Sequence, residues 1–365
     1  MIPIIDSHLD LAINAIAFDR DLSEALSDLN SREKHMTDHP ARGNAVVTLP
    51  EMRRGGVVLT LGSLLARNSR GGRPGSGFGR VDIDFTSPLL AFSAASGQLA
   101  YYQQLERSGE ITLIRNQKAL NDHWARATGN SRDYTNTPVG LVLSMEGSDP
   151  IMTPFQAKYW WDAGLRVTSL VHYGQGTYAA GTGISGPVTG PGIELLKAFG
   201  DLGMILDVSH LSDLAFDQAL DLFSGPVLAS HNNCRALVSG SRQLTDAQIK
   251  RLAERGGIIG VAFDAWMLDS NWIRGKSKPD KLTVENVVDH IDHICSLTGS
   301  AAHAGIGSDL DGGFGTEQAP RDVKSIADLQ KVGFLLESRG YTGADIDAIL
   351  HGNWLAFLRH NLPAQ

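Results

Sequence analysis

Eight short runs of apolar and β-branched residues recur along the chain, and longer amphipathic segments separate them. Such near-continuous apolar runs are typical of parallel strands that are covered by helices. Strands that alternate with helices in this way predict an α/β fold, a (β/α)8 TIM-type barrel. The runs lie at 2–6, 56–62, 139–145, 165–172, 204–210, 226–231, 257–263 and 304–309, and one more short strand is predicted at 111–115.

The alternative is an open doubly wound sheet, in which strands and helices also alternate. It is disfavoured because no GxGxxG motif follows an early strand. Ser212 and Thr245 are expected to cap two of the predicted helices. The helices are predicted at 88–107, 192–201, 211–223, 245–255, 284–297, 323–339 and 344–360.

A chain of 365 residues is long enough for two ordinary domains or for one barrel of this kind. Irregular, glycine-rich stretches lie at 68–84 and 174–192, but neither separates parts of different composition. We therefore predict one domain over residues 1–365 and interpret the first stretch as a long flexible loop. Four arginines cluster in or beside this loop, at Arg67, Arg70, Arg73 and Arg80.

The net charge of −8 and the pI of about 5.8 give no sign of a surface for nucleic acid. The only cysteines are Cys234 and Cys295, which disfavours a disulfide framework and fits a reducing compartment. No basic leader and no apolar run of membrane-spanning length is visible in the sequence. We therefore expect a cytoplasmic protein without a nucleic-acid or membrane partner.

Six of the eight predicted strands end in ionisable side chains. In a parallel barrel the carboxyl ends of the strands converge on one mouth, where active sites form. These side chains are therefore expected to face one another, and their crowding is costly unless a shared cation stabilises it. They are His8 and Asp10 after the first strand, followed by Glu146, His172, His210, His231 and Asp309.

Imidazole and carboxylate groups together suit zinc and related transition metals. If five of these seven residues are metal ligands, they are too many for one catalytic zinc that keeps a position open. Two ions that share a carboxylate would use all five. Each residue alone has a simpler explanation, such as a polar pair in a turn for His8 and Asp10. Asp309 and Asp311 could likewise shape a turn with Gly312. The whole set together favours a metal site over a polar barrel rim.

These motifs, taken in order, resemble those of the membrane dipeptidase (renal dipeptidase) family of zinc peptidases, and the match covers nearly the whole chain. The resemblance implies an amidohydrolase-like barrel with two zinc ions per chain at the carboxyl ends of the strands, and a homodimer. It is carried by DSHLDLA (6–12), MEGSD (145–149), LVHYG (170–174), DVSH (207–210), SHNNCRAL (230–237), SRQLTD (241–246) and GIGSDLDGG (305–313).

The resemblance also implies the ligands of the two zinc ions. His8 and Asp10 would bind one ion, His210 and His231 would bind the other, and Glu146 would bridge them. Because none of these residues is missing, a catalytically dead barrel that only binds metal or peptide is disfavoured.

The same resemblance implies the substrate contacts. His172 would contact the substrate and stabilise the oxyanion, and Asp309 would bind the substrate and transfer protons. Arg242 would bind the terminal carboxylate of the substrate, and Arg235 is the next candidate for that role. Asp207 is interpreted either as a residue that orients a metal ligand or as a turn residue.

The predicted reaction is the hydrolysis of dipeptides, with an L- or a D-residue at the C-terminal position, by a hydroxide that bridges the two zinc ions. The main alternative is another amidohydrolase-type hydrolase, such as an N-acyl amino acid deacylase or a lactonase. Those enzymes usually open with HxH and use a bridging lysine, whereas this chain has HLD at 8–10 and a glutamate. Leu9, Ser148 and the loop after His172 depart from the family pattern and leave the substrate open. An acidic Asp264, just past the seventh strand, would favour a basic side chain.

Overall fold

The computed structural model describes residues 1–68, 83–129 and 134–364, and its main feature is a ring of eight parallel strands. The strands are β1 (Ile4–Leu9), β2 (Val57–Leu64), β3 (Val139–Met145), β4 (Val167–Ser169), β5 (Ile205–Asp207), β6 (Val227–Leu228), β7 (Ile259–Val261) and β8 (Ala304–Ile306). Their order in the sheet is β7-β8-β1-β2-β3-β4-β5-β6. A parallel bridge between Ala229 and Ile259 joins β6 to β7 and closes the ring. The predicted (β/α)8 barrel is confirmed.

The strand predicted at 111–115 is present as Ile111–Leu113, and it pairs with the first half of β3. All residues of the eight barrel strands are buried, which explains why the sequence shows continuous apolar runs instead of alternation. The first and last strands are neighbours, with Asp6 opposite Ile306. Because every pairing is parallel, all eight carboxyl ends open onto the same mouth.

Three strands approach one another closely at this mouth, and two glycines allow it. A Cβ atom on Gly260 would lie 2.1 Å from the carbonyl oxygen of Ser230, and one on Gly307 would lie 1.8 Å from it. Any side chain at either position would therefore push β7 or β8 away from the end of β6.

Helices cover the outside of the ring. The α-helices are Leu11–Ala17, Leu26–Glu33, Leu49–Arg54, Pro88–Arg107, Gln117–Thr128, Ala157–Asp162, Gly190–Leu202, Asp213–Leu222, Asp246–Glu254, Val284–Thr298, Gln330–Ser338, Gly343–Asp347 and Asn353–Asn361. Short 3₁₀ segments lie at Pro154–Gln156, Ala265–Met267, Ala301–His303 and Ile326–Leu329. The hydroxyl of Ser212 and that of Thr245 each accept a backbone N–H of the helix that follows, so both predicted caps are confirmed.

The two C-terminal helices differ from the prediction. The segment predicted at 323–339 begins as the 3₁₀ turn Ile326–Leu329, and the one predicted at 344–360 contains the π turn Ala348–Gly352. After that turn, the Asn353 side chain donates to the carbonyls of Ala301 and Ala304, which ties the last helix to the start of β8. Both segments therefore depart locally from a regular α-helical period.

Arg70, Arg73 and Arg80 of the predicted flexible loop lie outside the described residues, as does most of that loop. Arg67, at its start, is described and forms a two-residue strand with Asn68. Among the helices of the described ranges, none combines the length and the apolar character needed to cross a bilayer.

Candidate metal centre

The barrel brings the predicted ionisable residues together at the mouth. His8 is the fifth residue of β1, and Asp10 precedes the helix Leu11–Ala17. Glu146 directly follows β3. The remaining four each stand three residues past the end of a strand, namely His172, His210, His231 and Asp309.

Glu146 is at the centre of the cluster, and its carboxylate faces four imidazoles. Its Oε1 atom lies 2.9 Å from His210 Nε2, 3.2 Å from His231 Nε2 and 3.6 Å from His172 Nε2. Its other oxygen, Oε2, lies 3.6 Å from His8 Nε2. One carboxylate therefore contacts two separate sets of nitrogen donors.

Two further carboxylates lie beside His8. The Nε2 atom of His8 lies 3.8 Å from Asp10 Oδ1 and 3.8 Å from Asp309 Oδ1. The Ser63 hydroxyl donates to the same oxygen of Asp10 and holds it in place. His8 Nε2 is buried, yet it has no hydrogen-bond partner among the residues that the structure describes.

Three sets of donor atoms each lie within 4.8 Å of one another, which is close enough to share a cation. The sets are His8, Glu146 and His231; Glu146, His172 and His210; and His8, Asp10 and Asp309. Imidazole nitrogen and carboxylate oxygen are donors that zinc and its neighbours accept. The unpartnered nitrogen of His8 gives independent support, because a buried polar atom without a partner is costly. The residues present therefore fit a divalent metal.

Hydroxyl groups orient two of these histidines. Ser230 Oγ lies 2.8 Å from His231 Nδ1, and Thr182 Oγ1 lies 3.0 Å from His210 Nδ1. Because these contacts use the Nδ1 atoms, both Nε2 atoms point toward Glu146. Neither hydroxyl was identified from the sequence. Thr182 comes from the glycine-rich stretch 28 residues before His210, so no local motif links the two.

Two buried aspartates join neighbouring strand ends below the cluster. Asp207 accepts hydrogen bonds from the backbone N–H groups of Ser209 and Ser230 and from the Ser230 hydroxyl, at 2.5 to 3.0 Å. Asp6 accepts the N–H and the hydroxyl of Ser308 at 2.8 and 2.5 Å. Asp207 thus orients His231 through Ser230, which combines both of its predicted interpretations.

The electrostatics of the cluster oppose a charged imidazole at three of its four histidines and favour one at the fourth. Burial lowers the pKa of His172 to about 4 and the pKa values of His210 and His231 well below the usual range. Burial also opposes a charge on His8, but the nearby carboxylates outweigh it and raise its pKa to about 10. Burial and the neighbouring carboxylates raise the pKa of Asp309. A divalent cation can supply the positive charge that these carboxylates otherwise take from protons.

The backbone is strained at the same place. His210, Asp309 and Asp311 have φ angles of 68°, 58° and 62°, in the left-handed region that few residues other than glycine adopt. The Asp311 carboxylate accepts the backbone N–H groups of Val46 and Val47, so it ties this turn to a distant segment of the chain. Such conformations persist where surrounding contacts enforce them, and they concentrate at functional sites.

A cavity of about 490 Å³ opens above the cluster. Arg242 lies 3% exposed in its wall, where one guanidinium nitrogen, Nη2, donates to the carbonyl of His231 at 2.7 Å. The other, Nη1, is buried without a partner in the described part of the chain. Arg235 instead forms a bidentate ion pair with Asp213 at 2.7 and 2.8 Å and does not line the cavity. Arg242 can therefore contact a ligand in the cavity, whereas Arg235 cannot.

Asp264 also lines the cavity, but both oxygens of its carboxylate already face other groups of the chain. Its Oδ1 atom accepts from Gln318 Nε2 at 2.8 Å, and its Oδ2 atom faces Arg274 Nη2 at 3.7 Å. Burial raises its pKa to about 6.

Known proteins resemble this chain in sequence and in fold. The dipeptidase tcpJ of Claviceps purpurea is 32% identical over 204 residues, which are 54% of this chain and 44% of that protein. The chain spans about half the length of the curated relatives it matches. A metallopeptidase from Rhodobacter sphaeroides, solved with a phosphinate mimic of L-Ala-D-Ala, is 21% identical with a TM-score of 0.77 over 99% of both chains. The probable dipeptidase PvdM from Pseudomonas aeruginosa is 19% identical, also with a TM-score of 0.77, over 98% of this chain and 95% of that one.

The two solved structures share the fold of this chain. A sequence profile described as membrane dipeptidase (peptidase family M19) matches residues 1–362. The match includes every strand of the barrel and every residue of the cluster at its mouth. The chain therefore belongs to the membrane dipeptidase family, peptidase family M19.

Proposed function

We propose that the chain is a metallo-dipeptidase that holds two zinc ions and hydrolyses the peptide bond of dipeptides. The observation that carries the proposal is the position of Glu146, whose two oxygens face different sets of imidazoles. Membership of a metallopeptidase family supports the same conclusion.

His8 and Asp10 would hold one zinc ion, and His210 and His231 the other, with Glu146 between them. Bound there, the ions would activate a water molecule and polarise the scissile carbonyl. The buried hydroxyl and carboxylate partners of these ligands hold them in place before any metal arrives, which lowers the cost of assembling the site.

Asp309 would move the proton. Its carboxylate lies beside His8, partly exposed to the cavity, and burial and the neighbouring carboxylates raise its pKa, which strengthens it as a proton acceptor. In the proposed reaction Asp309 takes a proton from the attacking water as the C–O bond forms. It then delivers that proton to the amine as the C–N bond breaks.

His172 would stabilise the oxyanion. Burial lowers its pKa to about 4, so it is neutral at pH 7. Its Nδ1 atom lies 3.4 Å from Arg67 Nη1, and because a guanidinium only donates, Nδ1 must accept. The proton is then on Nε2, which faces the cavity side of Glu146 and can donate to the negative charge that develops on the carbonyl oxygen.

Arg242 would bind the terminal carboxylate of the dipeptide with its unpartnered Nη1 atom. Replacing Arg242 by alanine removes a buried, charged hydrogen bond, so we expect KM to rise about 10- to 100-fold. Steady-state kinetics on a dipeptide and on its C-terminal amide would measure this change in KM. The amide lacks the terminal negative charge, so its KM should rise much less in the variant. The control is Arg235→Ala, which removes a nearby arginine that does not line the cavity, together with its contacts to Asp213 and to the carbonyl of Gln243. An unchanged KM for Arg242→Ala would remove the residue from the carboxylate site.

The proposal as a whole is tested by metal content and turnover on one sample. We expect about two zinc ions per chain, together with cleavage of L,L- or L,D-dipeptides that chelation abolishes and zinc restores. An N-acyl amino acid and a lactone belong in the same assay. Two bound ions with turnover only of one of these would assign the site to another amidohydrolase-type reaction. Zinc-loaded protein that binds dipeptides without cleaving any substrate would indicate a binding protein.

The expectations of one domain over residues 1–365, of a homodimer and of a cytoplasmic location stay predictions. All eight barrel strands belong to one sheet, which supports the first of them. Light scattering during size-exclusion chromatography would measure the mass of the particle and so test the second.

A further inference from the structure

We propose that Arg274, held over Trp266 at the rim of the cavity, selects dipeptides that carry an acidic side chain. This inference rests on the proposed dipeptidase function and concerns the side chain of the substrate, not its terminal carboxylate. The sequence analysis expected Asp264 to favour a basic side chain in the substrate, and this inference is the opposite.

Arg274 is a charged group without a strong partner of its own. Its guanidinium carbon lies 4.7 Å from the ring centroid of Trp266, and its side chain remains 57% exposed. Its nearest described carboxylate oxygen, on Asp264, is 3.7 Å away, beyond hydrogen-bond distance. Within the described ranges the guanidinium makes no hydrogen bond, so its donors are free for a ligand that enters the cavity.

Among the described residues, two other arginines line the cavity wall, and both already have partners. Arg67 forms a bidentate pair with Asp84 at 2.8 and 2.9 Å. Arg242 donates to the His231 carbonyl and lies buried beside the cluster, where the terminal carboxylate would bind. Arg274 is therefore the cation that a second carboxylate of the same substrate can reach.

Asp264 does not cancel this charge for the substrate. It is 3% exposed and is already hydrogen-bonded to Gln318, so it lies below the guanidinium and away from the solvent. A substrate carboxylate would approach the exposed side of Arg274 and could form the fork geometry that the Asp264 contact lacks. The Trp266 ring restricts the guanidinium and reduces the entropy lost on binding.

The charge of the adjoining surface has the same sign. Arg274 also lines a groove beside the cavity, to which Lys276 and Lys278 contribute. Gln318 and Gly313 line both the groove and the cavity, so the two are continuous. Asp280 and Glu317 line the groove too, so its described lining holds three cations against two carboxylates. The rim therefore presents a local excess of positive charge toward incoming substrate.

The test compares glutamate with its neutral isostere glutamine in both positions of the substrate. The measured quantity is the ratio of kcat/KM for Ala-Glu over Ala-Gln, and for Glu-Ala over Gln-Ala, with zinc-loaded full-length protein. We expect the acidic dipeptide of at least one pair to be preferred about three- to tenfold, as for a partly exposed ion pair. Replacing Arg274 by methionine should bring that ratio to about one, whereas Arg274→Lys should retain part of it.

Arg126→Met is the matched control, because Arg126 is exposed on the helix Gln117–Thr128 and does not line the cavity. It removes the same charge and should leave the ratio unchanged. In the unaltered protein the ratio should also fall as salt is raised, since salt screens an exposed pair.

Three outcomes would overturn the inference. They are a ratio of one or less for both pairs, a ratio that Arg274→Met leaves unaltered, and a preference for arginine side chains that Asp264→Asn abolishes. Failure to cleave any of the four dipeptides would instead count against the dipeptidase proposal. The two failures are therefore distinguishable.

Discussion

Replacement of Glu146 by glutamine is expected to reduce kcat/KM by at least about a thousandfold, which is ~4 kcal/mol of transition-state stabilisation. Glutamine keeps the shape of the side chain but removes the negative charge and replaces one acceptor oxygen by a donor. The Glu146 carboxylate faces the Nε2 atoms of His8, His172, His210 and His231, so both proposed zinc positions depend on it. Metal analysis should show fewer than two ions per chain, and added zinc should restore little activity.

The control for this prediction is Glu254→Gln, an exposed position on the helix Asp246–Glu254 outside the barrel. It makes the same chemical change away from the cluster and should alter neither metal content nor activity. A Glu146→Gln protein that still binds two ions and turns over dipeptides would show that the carboxylate is not the bridge.

Replacement of Asp309 by asparagine is expected to lower kcat by about 10²- to 10⁴-fold, the usual contribution of general acid–base catalysis. The amide cannot accept a proton from water or deliver one to the amine. Asparagine tolerates the left-handed backbone conformation that Asp309 adopts at a φ of 58°, so the fold should be preserved. The number of zinc ions per chain should stay the same while turnover falls.

Asp311→Asn is the matched control for Asp309. Asp311 is two residues away and has a φ of 62°, but its carboxylate accepts the N–H groups of Val46 and Val47 and does not line the cavity. We expect kcat to change less than about threefold, as for substitutions that do not touch the reacting groups. If Asp309→Asn instead lost one zinc ion, Asp309 would be a metal ligand, which its position within the set of His8 and Asp10 would explain.

The ionisable residues at the mouth could be predicted from the sequence because each stands within three residues of a strand end. Position along a strand determines where a side chain emerges from a barrel, so a short motif is enough. The supporting contacts could not be predicted in this way. Thr182 lies 28 residues before its partner His210, and Ser63 lies 53 residues after its partner Asp10. No sequence motif links residues at such separations.

Arg235 and Arg242 illustrate the same limit. Both follow His231 by a short interval, so spacing alone does not show which one enters the cavity. The side chain of Asn232 donates to the carbonyl of Arg242 and folds the segment back toward the mouth. Arg235 meets Asp213 at the start of a helix instead. The contacts of the last helix have the same character, since the carbonyl partners of Asn353 are about 50 residues away.

The pairing of β1 with β8 has a consequence for the order in which the protein is made. Asp6 and its partner Ser308 are 302 residues apart, an interval that a ribosome needs tens of seconds to translate at about 5–20 residues per second. Until β8 emerges, β1 has an unpaired edge, and His8 and Asp10 lack the turn that carries Asp309. The ring of strands cannot close before the last strand is made, so Asp309 joins the proposed zinc ligands only at the end of synthesis.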